Sequence, residues 1–487
     1  MSDSTPHGFH STGAEGPAIG QDEWVARHAA VRFLPERFAV VEQRLRVVPW
    51  WAWLTLFVGV FCLFPLVETG GYVRQVAFQT VLYMLLALGL NVVVGWGGLL
   101  DLGYVAFYGI GAYAYALLDS PHYGVHLPTL VSVPLIVAIG ALAGLVLGLP
   151  SWRLTGDYLA IVTLFFLQLF QTVTTNWQNV TGGPFGILNV DPFGLPGGHK
   201  LPTQHGGVFA VSYLYVALAF FVVVFVGLRL LNNSRTGRAW RSLREDPLAA
   251  EAMGMPVNWL KLLAFSCGAA VAALTGSLYA ALFGNVFPLN FYFVTLIIIY
   301  TMVILGGSGN QAGVVLGALI ISPLLEMLRD ADKSRILFFV ALVVGFAIIG
   351  RRNRRIAIVG GATLIFGFVL HAIARAIDGG WVAGQPGAGG FARFVEHWVI
   401  APETPARWIA PVAYVGVIAA ALLCTVLRGI LRDVVLVPTL YLAAFVWENV
   451  MLSKPDPARY IVLGVILIVL MVLRPNGLLG ERRVEIV

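Results

Sequence analysis

Apolar residues occur along this chain in long blocks, separated by shorter segments that hold most of the charges. Each block has roughly 15 to 25 residues with few charged side chains, the length that an α-helix needs to cross a hydrocarbon core of about 30 Å. Several blocks are short enough to be tilted, broken or re-entrant helices. The predicted spans lie at about 48–67, 75–95, 104–118, 129–149, 158–176, 208–231, 259–283, 291–306, 311–328, 336–350, 356–376, 408–427, 433–452 and 460–473.

This pattern predicts an all-α fold, a polytopic bundle of about fourteen transmembrane helices. Hydrophobic residues make up 58% of the chain and charged residues only 11%, whereas a soluble domain carries about a quarter charged residues. The mean hydropathy is +0.82. A chain of this composition cannot bury its apolar surface in water, so we expect a multi-pass membrane protein.

The basic residues predict the orientation of the spans. Residues 1–46 are polar, contain five arginines towards their end and exceed the n-region of a signal peptide, which predicts a cytoplasmic tail before an uncleaved first span. Alternation from that start places the basic clusters 229–244, 351–355 and 474–483 in the cytoplasm, as the positive-inside rule requires. The Gly/Pro-rich loops 177–207 and 377–407 then lie outside, and both termini are cytoplasmic.

Composition and motifs exclude several other functions. The net charge of +6 comes from basic residues between apolar blocks, where membrane topology accounts for them, so no nucleic-acid partner is expected. Cys62, Cys267 and Cys424 lie singly inside apolar blocks and form no disulfide or metal pattern. The segment GGSGNQAG at 306–313 lacks the lysine of a phosphate-binding loop, and no catalytic motif is present. We therefore expect a non-catalytic protein without cofactor or metal.

Glycines recur around a single acid in GWGGLLDLGYVAFYGIGAY, residues 95–113. Broken helices at membrane depth free backbone groups to meet a polar solute, and they are tolerated where they line a cavity. Small residues also permit close helix packing, which is the alternative for these glycines. An interfacial structural role is the alternative for the acid. The candidate pathway residues here are Gly97, Gly98, Asp101, Gly103 and Tyr104.

Two further segments supply candidates for a substrate pathway. In RLTGDYLAIVTL, Asp157 and Tyr158 open an apolar run, and Asp157 is suited to cap that helix. The segment NVTGGPFGI, at the outer end of a predicted span, contains Thr181, Gly182 and Gly183. It could face an incoming solute or simply turn the chain.

Residues 234–257 form a charged segment between two long spans. Their pattern is typical of short amphipathic helices. Ala249, Ala250, Ala252 and Met253 form a small apolar knob with charge around it, and such a knob suits docking into a groove on a partner. An ordinary charged loop is the alternative. The candidate docking residues are Gly237, Arg238, Arg244, Glu245, Asp246, Ala249, Ala250, Glu251 and Gly254.

At these residues the chain resembles the LivHM family, the permease subunits of branched-chain amino-acid ABC importers, and most closely its LivM-type subunits. LNVVVGWGGLLDLGYVAFYGIGAYAYALL, GDYLAIVTL, TGGPFGI, GRAWRSLREDPLAAEAMG and RPNGLLG occur in the family's order. The resemblance covers most of 75–329 and the last thirty residues. It implies an ABC importer permease fold in the bacterial inner membrane, with 237–254 as the loop that engages the ATPases.

The resemblance also implies partners and a substrate. The partners are two ATP-binding cassette subunits, which hydrolyse ATP, a second LivH-type permease subunit and a periplasmic solute-binding protein. The substrate is leucine, isoleucine or valine, and membrane lipid surrounds the complex. Permeases for urea or short amides share these motifs and are the alternative. An alternative of another class is a self-sufficient secondary transporter or channel, although acids in the middle of spans are scarce.

The chain departs from the family pattern after about residue 329. The family reaches its closing RPxGLLG one span later, but here about 130 residues with four apolar blocks intervene. We therefore expect a permease core at 47–329, an inserted transmembrane module at 330–457, and the final span with a cytoplasmic C-terminus at 458–487.

Overall fold

The computed structural model describes residues 50–67, 70–121, 124–152, 154, 156–194, 200–205, 208–209, 211–352, 354–382, 395, 397–400, 402, 409–427, 429–451, 455–473 and 477–479. The predicted tail at 1–46 lies outside these residues. The chain forms two compact units, Met1–Leu66 and Val67–Val487. Within the described part of the first unit, helix α1 (Trp50–Val67) is apolar throughout and contains Pro65.

Among the described residues of the second unit, helices account for nearly all regular structure, as the apolar pattern predicts. They are α2 (Gly71–Leu90), α3 (Tyr104–Leu118), α4 (Thr129–Gly148), α5 (Asp157–Asn176), α6 (Gln178–Thr181), α7 (Val211–Asn233), α8 (Arg235–Glu245), α9 (Pro247–Ala252), α10 (Val257–Phe283), α11 (Phe293–Gly306), α12 (Gln311–Met327), α13 (Ala331–Arg352), α14 (Arg354–Ile377), α15 (Ile409–Val426), α16 (Ile430–Val446) and α17 (Pro455–Leu473).

Short non-α elements connect these helices. A π-helical turn, Asn91–Trp96, continues α2, and a second one, Trp447–Met451, continues α16. Within the part of the chain that the structure describes, 3-10 turns lie at Leu149–Trp152, Gly183–Phe185, Pro288–Phe291 and Gly379–Val382. Two antiparallel hairpins pair β1 (Asp119–Ser120) with β2 (Val125–His126) and β3 (Gln204–His205) with β4 (Val208–Phe209). The apolar pattern did not predict these hairpins.

Eight helical segments among the described residues are long and apolar enough to cross a membrane. The eight are Gly71–Trp96, Thr129–Gly148, Asp157–Asn176, Val211–Asn233, Val257–Phe283, Pro288–Gly306, Ile358–Ile377 and Ile430–Asn449. Shorter apolar helices lie at Trp50–Pro65, Tyr104–Leu118, Gln311–Met327, Val412–Val426 and Arg459–Ile468. The polytopic helical fold is confirmed, and the number of fourteen spans stays a prediction.

Helix α10 lies at the centre of the second unit and packs most extensively against α3 and α4. Small residues make these crossings close, because an added Cβ at Gly111 would overlap the backbone of Ala273. Gly140 and Gly144 of α4 meet Ala273 and Ala269 in the same way. Van der Waals contact between closely approaching backbones is the main attraction available to helices in lipid. The packing alternative therefore holds for Gly111, and also for Gly109, which abuts aromatic rings.

Helices α13 to α16 form a cluster with a core of its own. Phe339 of α13 and Tyr441 of α16 pack around Trp398, together with Val395, Val399 and Ala444. The last helix, α17, packs instead on α11. Beyond it, the amides of Leu478 and Leu479 donate to the carbonyls of Leu305 and Gly306 at 2.8 and 3.0 Å. The side chain of Asn310 donates to the carbonyl of Leu479 at 2.7 Å. We call this closure the C-terminal clasp.

Candidate functional site

Helix α8 begins at a capped turn. Ser234 is its N-cap, and the Ser234 hydroxyl accepts a hydrogen bond from the amide of Gly237 at 3.3 Å. Gly237 is buried against the backbone of Asn232 in the last turn of α7, where an added Cβ would overlap the Asn232 carbonyl. Arg238 and Arg241 donate to the carbonyls of Asn233 and Asn232 at 3.1 and 3.3 Å. The start of α8 is therefore fixed to the end of α7.

Helix α9 has only six residues but is defined at both ends. Asp246 is its N-cap, with Oδ1 accepting from the amides of Leu248 and Ala249 at 2.8 and 3.0 Å. Pro247 follows at the first helical position, which its fixed φ favours. Gly254 closes the helix with φ +80°. The amide of Met255 donates to the carbonyl of Ala250, and that of Gly254 to Glu251, which is the Schellman arrangement.

One side of α9 is apolar and exposed. Leu248 is 78% and Met253 81% exposed, and Ala249 and Ala252 lie beside them at the surface. We call these four residues the docking face, after the role that the sequence analysis predicts for this segment. The predicted knob is thus present with one difference: Ala250 is only 3% exposed and points inward, whereas Leu248, which the sequence analysis missed, is fully outward. Charged side chains surround the docking face, and the exposed ones are Arg238, Arg241, Glu245, Asp246 and Glu251.

Helix α2 ends in the π turn and then in a non-helical segment, residues 97–103, which we call the helix break. The amides of Gly97 and Leu99 donate back to Val92 and Val93 at 3.0 and 3.1 Å. Wide turns of this kind occur mostly as insertions in α-helices and are frequent at functional sites. The predicted interruption of the helix is therefore present, and the next helix starts at Tyr104.

Asp101 lies in the helix break and is completely buried. Its Oδ1 accepts from the amide of Gly103 at 2.8 Å, and its backbone carbonyl accepts from the Tyr300 hydroxyl at 2.7 Å. Its Oδ2 has no hydrogen-bond partner within the described part of the chain. Asp101 therefore shapes the break from inside, which agrees with a structural role rather than exposure to a solute.

Thr163 joins the helix break to α5. Its hydroxyl accepts from the amide of Leu102 at 2.9 Å and donates to the carbonyl of Ala160 at 3.0 Å. Gly103 packs directly on the backbone of Thr163, where a Cβ would not fit. The helix break is therefore bonded to and packed against the buried face of α5.

Helix α8 rests on the π turn through two tryptophans. Trp240 is fully buried, and its indole N–H donates to the carbonyl of Leu260 in α10 at 2.8 Å. Its ring stacks on that of Trp96, with centroids 6.1 Å apart. Trp96 in turn donates to the carbonyl of Gly309 at 2.9 Å. The middle of α8 thus contacts α10 and the end of α2 together.

Arg244, in the last turn of α8, also contacts the π turn. Its Nη1 donates to the carbonyl of Gly95 in the π turn, and its Nη2 donates to the Ser308 hydroxyl at 3.2 Å. The side chain lies over Gly98, where an added Cβ would stand 2.9 Å from Arg244 Cγ. The loop between α11 and α12 is held to the π turn as well, because the amide of Gly309 donates to Asn91 Oδ1 at 2.8 Å.

The other end of α5 leads into the TGGPFGI segment. The Thr181 hydroxyl donates to the carbonyls of Thr174 and Trp177 at 2.7 and 2.8 Å, which folds the chain back sharply. Gly182 and Gly183 follow with positive φ, and Ile187 pairs with Val286 beyond α10. The segment therefore makes a sharp, hydrogen-bonded turn, which we call the elbow, at the end of the bundle opposite α9.

A small ionic cluster lies at the same opposite end. Asp191 accepts from Lys200 at 2.6 Å and has His126 Nδ1 at 2.7 Å from its other oxygen. The backbone amide of Asp191 donates to the carbonyl of Asp119 at 2.7 Å. Asp119 is 3% exposed, and burial raises the pKa of its carboxyl above the ordinary value.

The candidate pathway residues do not form one site. Gly97, Asp101, Gly103 and Tyr104 are buried around the helix break, with Gly98 exposed beside Arg244. The remaining candidates lie on or after α5. Asp157 and Tyr158 are exposed at its start, and Thr181, Gly182 and Gly183 form the elbow after its end. The expected cap is wrong in detail: Gly156 is the N-cap of α5, and Asp157 is the first residue of the helix.

Comparison with known proteins decides the family. Residues 72–346, more than half of the chain, match the model of the "Branched-chain amino acid transport system / permease component" family. The chain belongs to this family. The match contains α2 to α12 with the docking face and the helix break, and it ends within α13.

Curated relatives agree with the family match. The chain is 40% identical over 299 residues to the LivM permease protein of the high-affinity branched-chain amino acid transport system of Salmonella typhimurium, covering 58% of this chain and 69% of that protein. It is 38% identical to the Escherichia coli LivM protein over 63% of this chain and 73% of the relative. The Escherichia coli LivH permease protein is 25% identical over 55% and 91% of the two chains. No solved structure matches the chain significantly.

Proposed function

We propose that this protein is the LivM-type permease subunit of an ATP-driven importer that carries leucine, isoleucine and valine across a bacterial inner membrane. One observation carries the proposal: an exposed apolar face on a short, doubly capped helix is bonded through α8 to an interrupted membrane helix. The family and the names of its relatives supply the substrate class.

The proposed partners follow from the exposed docking face and from a sequence without a phosphate-binding loop. Two ATP-binding cassette subunits hydrolyse the ATP, since the sequence contains no phosphate-binding loop of its own. The docking face of this chain receives one of them. A second, LivH-type permease completes the membrane part, and the weaker similarity to LivH proteins is consistent with two related subunits. A periplasmic solute-binding protein delivers the amino acid.

The proposed orientation places α8 and α9 in the cytoplasm, because the ATP is there. The basic residues of this segment agree with that side under the positive-inside rule. The elbow and the ionic cluster around Asp191 then face the periplasm. This orientation also places both termini in the cytoplasm when the spans alternate.

We place the substrate pathway along the exposed face of α5. Gln168, in the middle of this helix, has an exposed polar side chain. Thr172 and Asn176 follow one and two turns later on the exposed side. Polar groups facing hydrocarbon are unfavourable, whereas polar groups inside a membrane protein commonly face a water-filled cavity or another helix.

This placement joins the two groups of candidate residues. The elbow at Thr181 lies where the pathway opens to the periplasm, and Asp157 and Tyr158 lie where it opens to the cytoplasm. The helix break is behind α5 and contacts it through Thr163. Docking and release of the ATPases would then change the exposure of the pathway by moving the break against α5.

A labelling experiment tests the pathway. Cys62, Cys267 and Cys424 are replaced by serine, and Gln168→Cys is exposed to a membrane-impermeant maleimide in the assembled complex. We expect labelling that leucine and ATP change, because the pathway contains water and alternates its exposure. Leu164→Cys, one turn away on the same exposed side, should label in the same way. Absence of labelling at both positions, with intact assembly, would place the pathway elsewhere.

The module of α13 to α16 is proposed to be peripheral to transport. It has its own core, and the buried ion pair of Arg335 with Glu448 at 2.9 Å lies within it and its π turn. Joining the chain across residues 331–457 should leave part of the transport activity. Complete loss of uptake in a variant that still inserts and assembles would contradict a peripheral role.

Reconstitution tests the function directly. The four proposed membrane and ATPase components are placed in vesicles with the binding protein, and uptake of labelled leucine, urea and acetamide is measured with and without ATP. We expect ATP-dependent uptake of leucine alone. ATP-dependent uptake of urea or acetamide instead would assign the other substrate class. Uptake by this chain alone, without ATPases, would support a secondary transporter or channel.

A further inference from the structure

We propose that Arg244 is a positioning residue that couples the helix break to α8 and the docking face. A displacement of α9 by a bound ATPase then also displaces the helix break and the substrate pathway. This inference rests on the proposed function and names the connection between its two parts. Arg244 itself is a part-buried residue of the bundle, so its role differs from that of the ATPase-facing side chains around it.

The Gly95 carbonyl is a suitable partner for a cation. It lies in the last turn of the helix formed by α2 and the π turn, where carbonyl groups have no helical donor. Arg244 donates to it from another element of the chain. A positive side chain at a helix C-terminus is also favoured by the helix dipole. Arg244 therefore caps α2 and ties that cap to α8.

A second hydrogen bond of Arg244 connects α8 to another loop. Its Nη2 donates to Ser308, so one guanidinium bridges the end of α2 and the loop between α11 and α12. A planar guanidinium can donate in two directions at once, whereas a lysine has a single nitrogen that cannot span both acceptors equally well. The bridge is therefore specific to arginine.

The connection continues from the break to the pathway. Two residues of the break carry it onward: Asp101 bonds the hydroxyl of Tyr300 in α11, and the amide of Leu102 bonds Thr163 in α5. Motion of α8 has a continuous bonded route to α5 through these groups. Asp101 and Thr163 at the far end of this route are fully buried, and a low local dielectric strengthens hydrogen bonds there.

Helix α8 also provides a matched control. Arg241 lies one turn earlier, is exposed, and donates to the backbone carbonyl of Asn232 at the end of α7. Arg241→Ala removes an arginine-to-carbonyl bond from the same helix without touching the break. Any effect that comes only from loss of charge on α8 is therefore shared by Arg241→Ala and Arg244→Ala.

The test measures leucine molecules taken up per ATP hydrolysed in vesicles that hold the complete complex. We expect Arg244→Ala to lower this ratio at least about tenfold while ATP hydrolysis and co-purification of the ATPases stay within about twofold of wild type. Arg241→Ala, beside the docking face, should lower ATPase binding but keep the ratio, because the bonds from α8 to the helix break stay in place. Ser308→Ala should lower the uptake per ATP a few-fold. The double variant Arg244→Ala/Ser308→Ala should have the same ratio as Arg244→Ala, because both substitutions break the same bridge.

Two results overturn the proposal: an unchanged ratio in Arg244→Ala, or an equal loss in Arg241→Ala. If Arg244→Ala does not assemble, Arg244→Lys and Ser308→Ala decide, and unchanged ratios in both overturn it. If the proposed function itself were wrong, the result would be different, because the wild-type complex would then take up no leucine.

Discussion

Truncation of Leu248 should weaken the binding of the ATPase to the permease. The Leu248 side chain is 78% exposed on the docking face, so a partner groove can bury most of it. Complete burial of a leucine contributes about 1.5–3 kcal/mol, and loss of the exposed part beyond Cβ corresponds to about 1–2 kcal/mol. The dissociation constant of Leu248→Ala should therefore rise about 5- to 30-fold.

The assay titrates purified ATP-binding subunits onto the two permeases in lipid nanodiscs and measures the dissociation constant. Leu130→Ala is the matched control, because Leu130 is 72% exposed at the start of α4, at the opposite end of the bundle. It should leave the dissociation constant unchanged. An unchanged value for Leu248→Ala, or an equal rise for Leu130→Ala, would refute α9 as the docking site.

Four further changes give separate outcomes. Asp246→Ala removes the N-cap of α9 and should destabilise that helix by about 1 kcal/mol, measured as faster amide exchange at its first residues. Gly254→Ala should cost about 1–2 kcal/mol in the same measurement, since φ is +80° and its Cβ would contact nothing that could compensate. Gly111→Ala should lower Tm by several degrees, whereas Gly227→Ala, in open space on α7, should keep or raise it. Asp119→Asn should stabilise the fold at neutral pH. Burial raises the pKa of Asp119, so the stability that the protonated carboxyl contributes is fully present below about pH 4 and is lost as pH rises through the raised pKa. A Tm of Asp119→Asn that falls with pH as steeply as that of wild type would contradict this.

The apolar pattern predicts the helices well because a membrane allows few alternatives for a long apolar segment. Each of the predicted spans has a helix at its position. The glycine-rich segment after α2 likewise predicts an interruption, and the structure has one. The clustering of charge between two spans predicts the short helices α8 and α9.

The same reasoning could not find the contacts between distant segments. Arg244 and Gly95 are 149 residues apart, and nothing in the sequence indicates that they meet. The aromatic residues Trp96 and Trp240 offered a signal, since tryptophans next to polar segments commonly seek a hydrogen-bond partner. On a helix as short as α9, the apolar residues alone do not determine which side is buried. The docking face was therefore predicted with Ala250 in place of Leu248.

The C-terminal clasp has a consequence for how this protein is made. The carbonyls of Leu305 and Gly306 at the end of α11 receive their hydrogen bonds from Leu478 and Leu479, which the ribosome adds only after the whole α13–α16 module. A nascent chain that stops within the module leaves these acceptors open, close to the loop that Arg244 contacts. This end of the bundle is thus completed last, so a chain truncated within the module differs from a finished one beside the loop between α11 and α12.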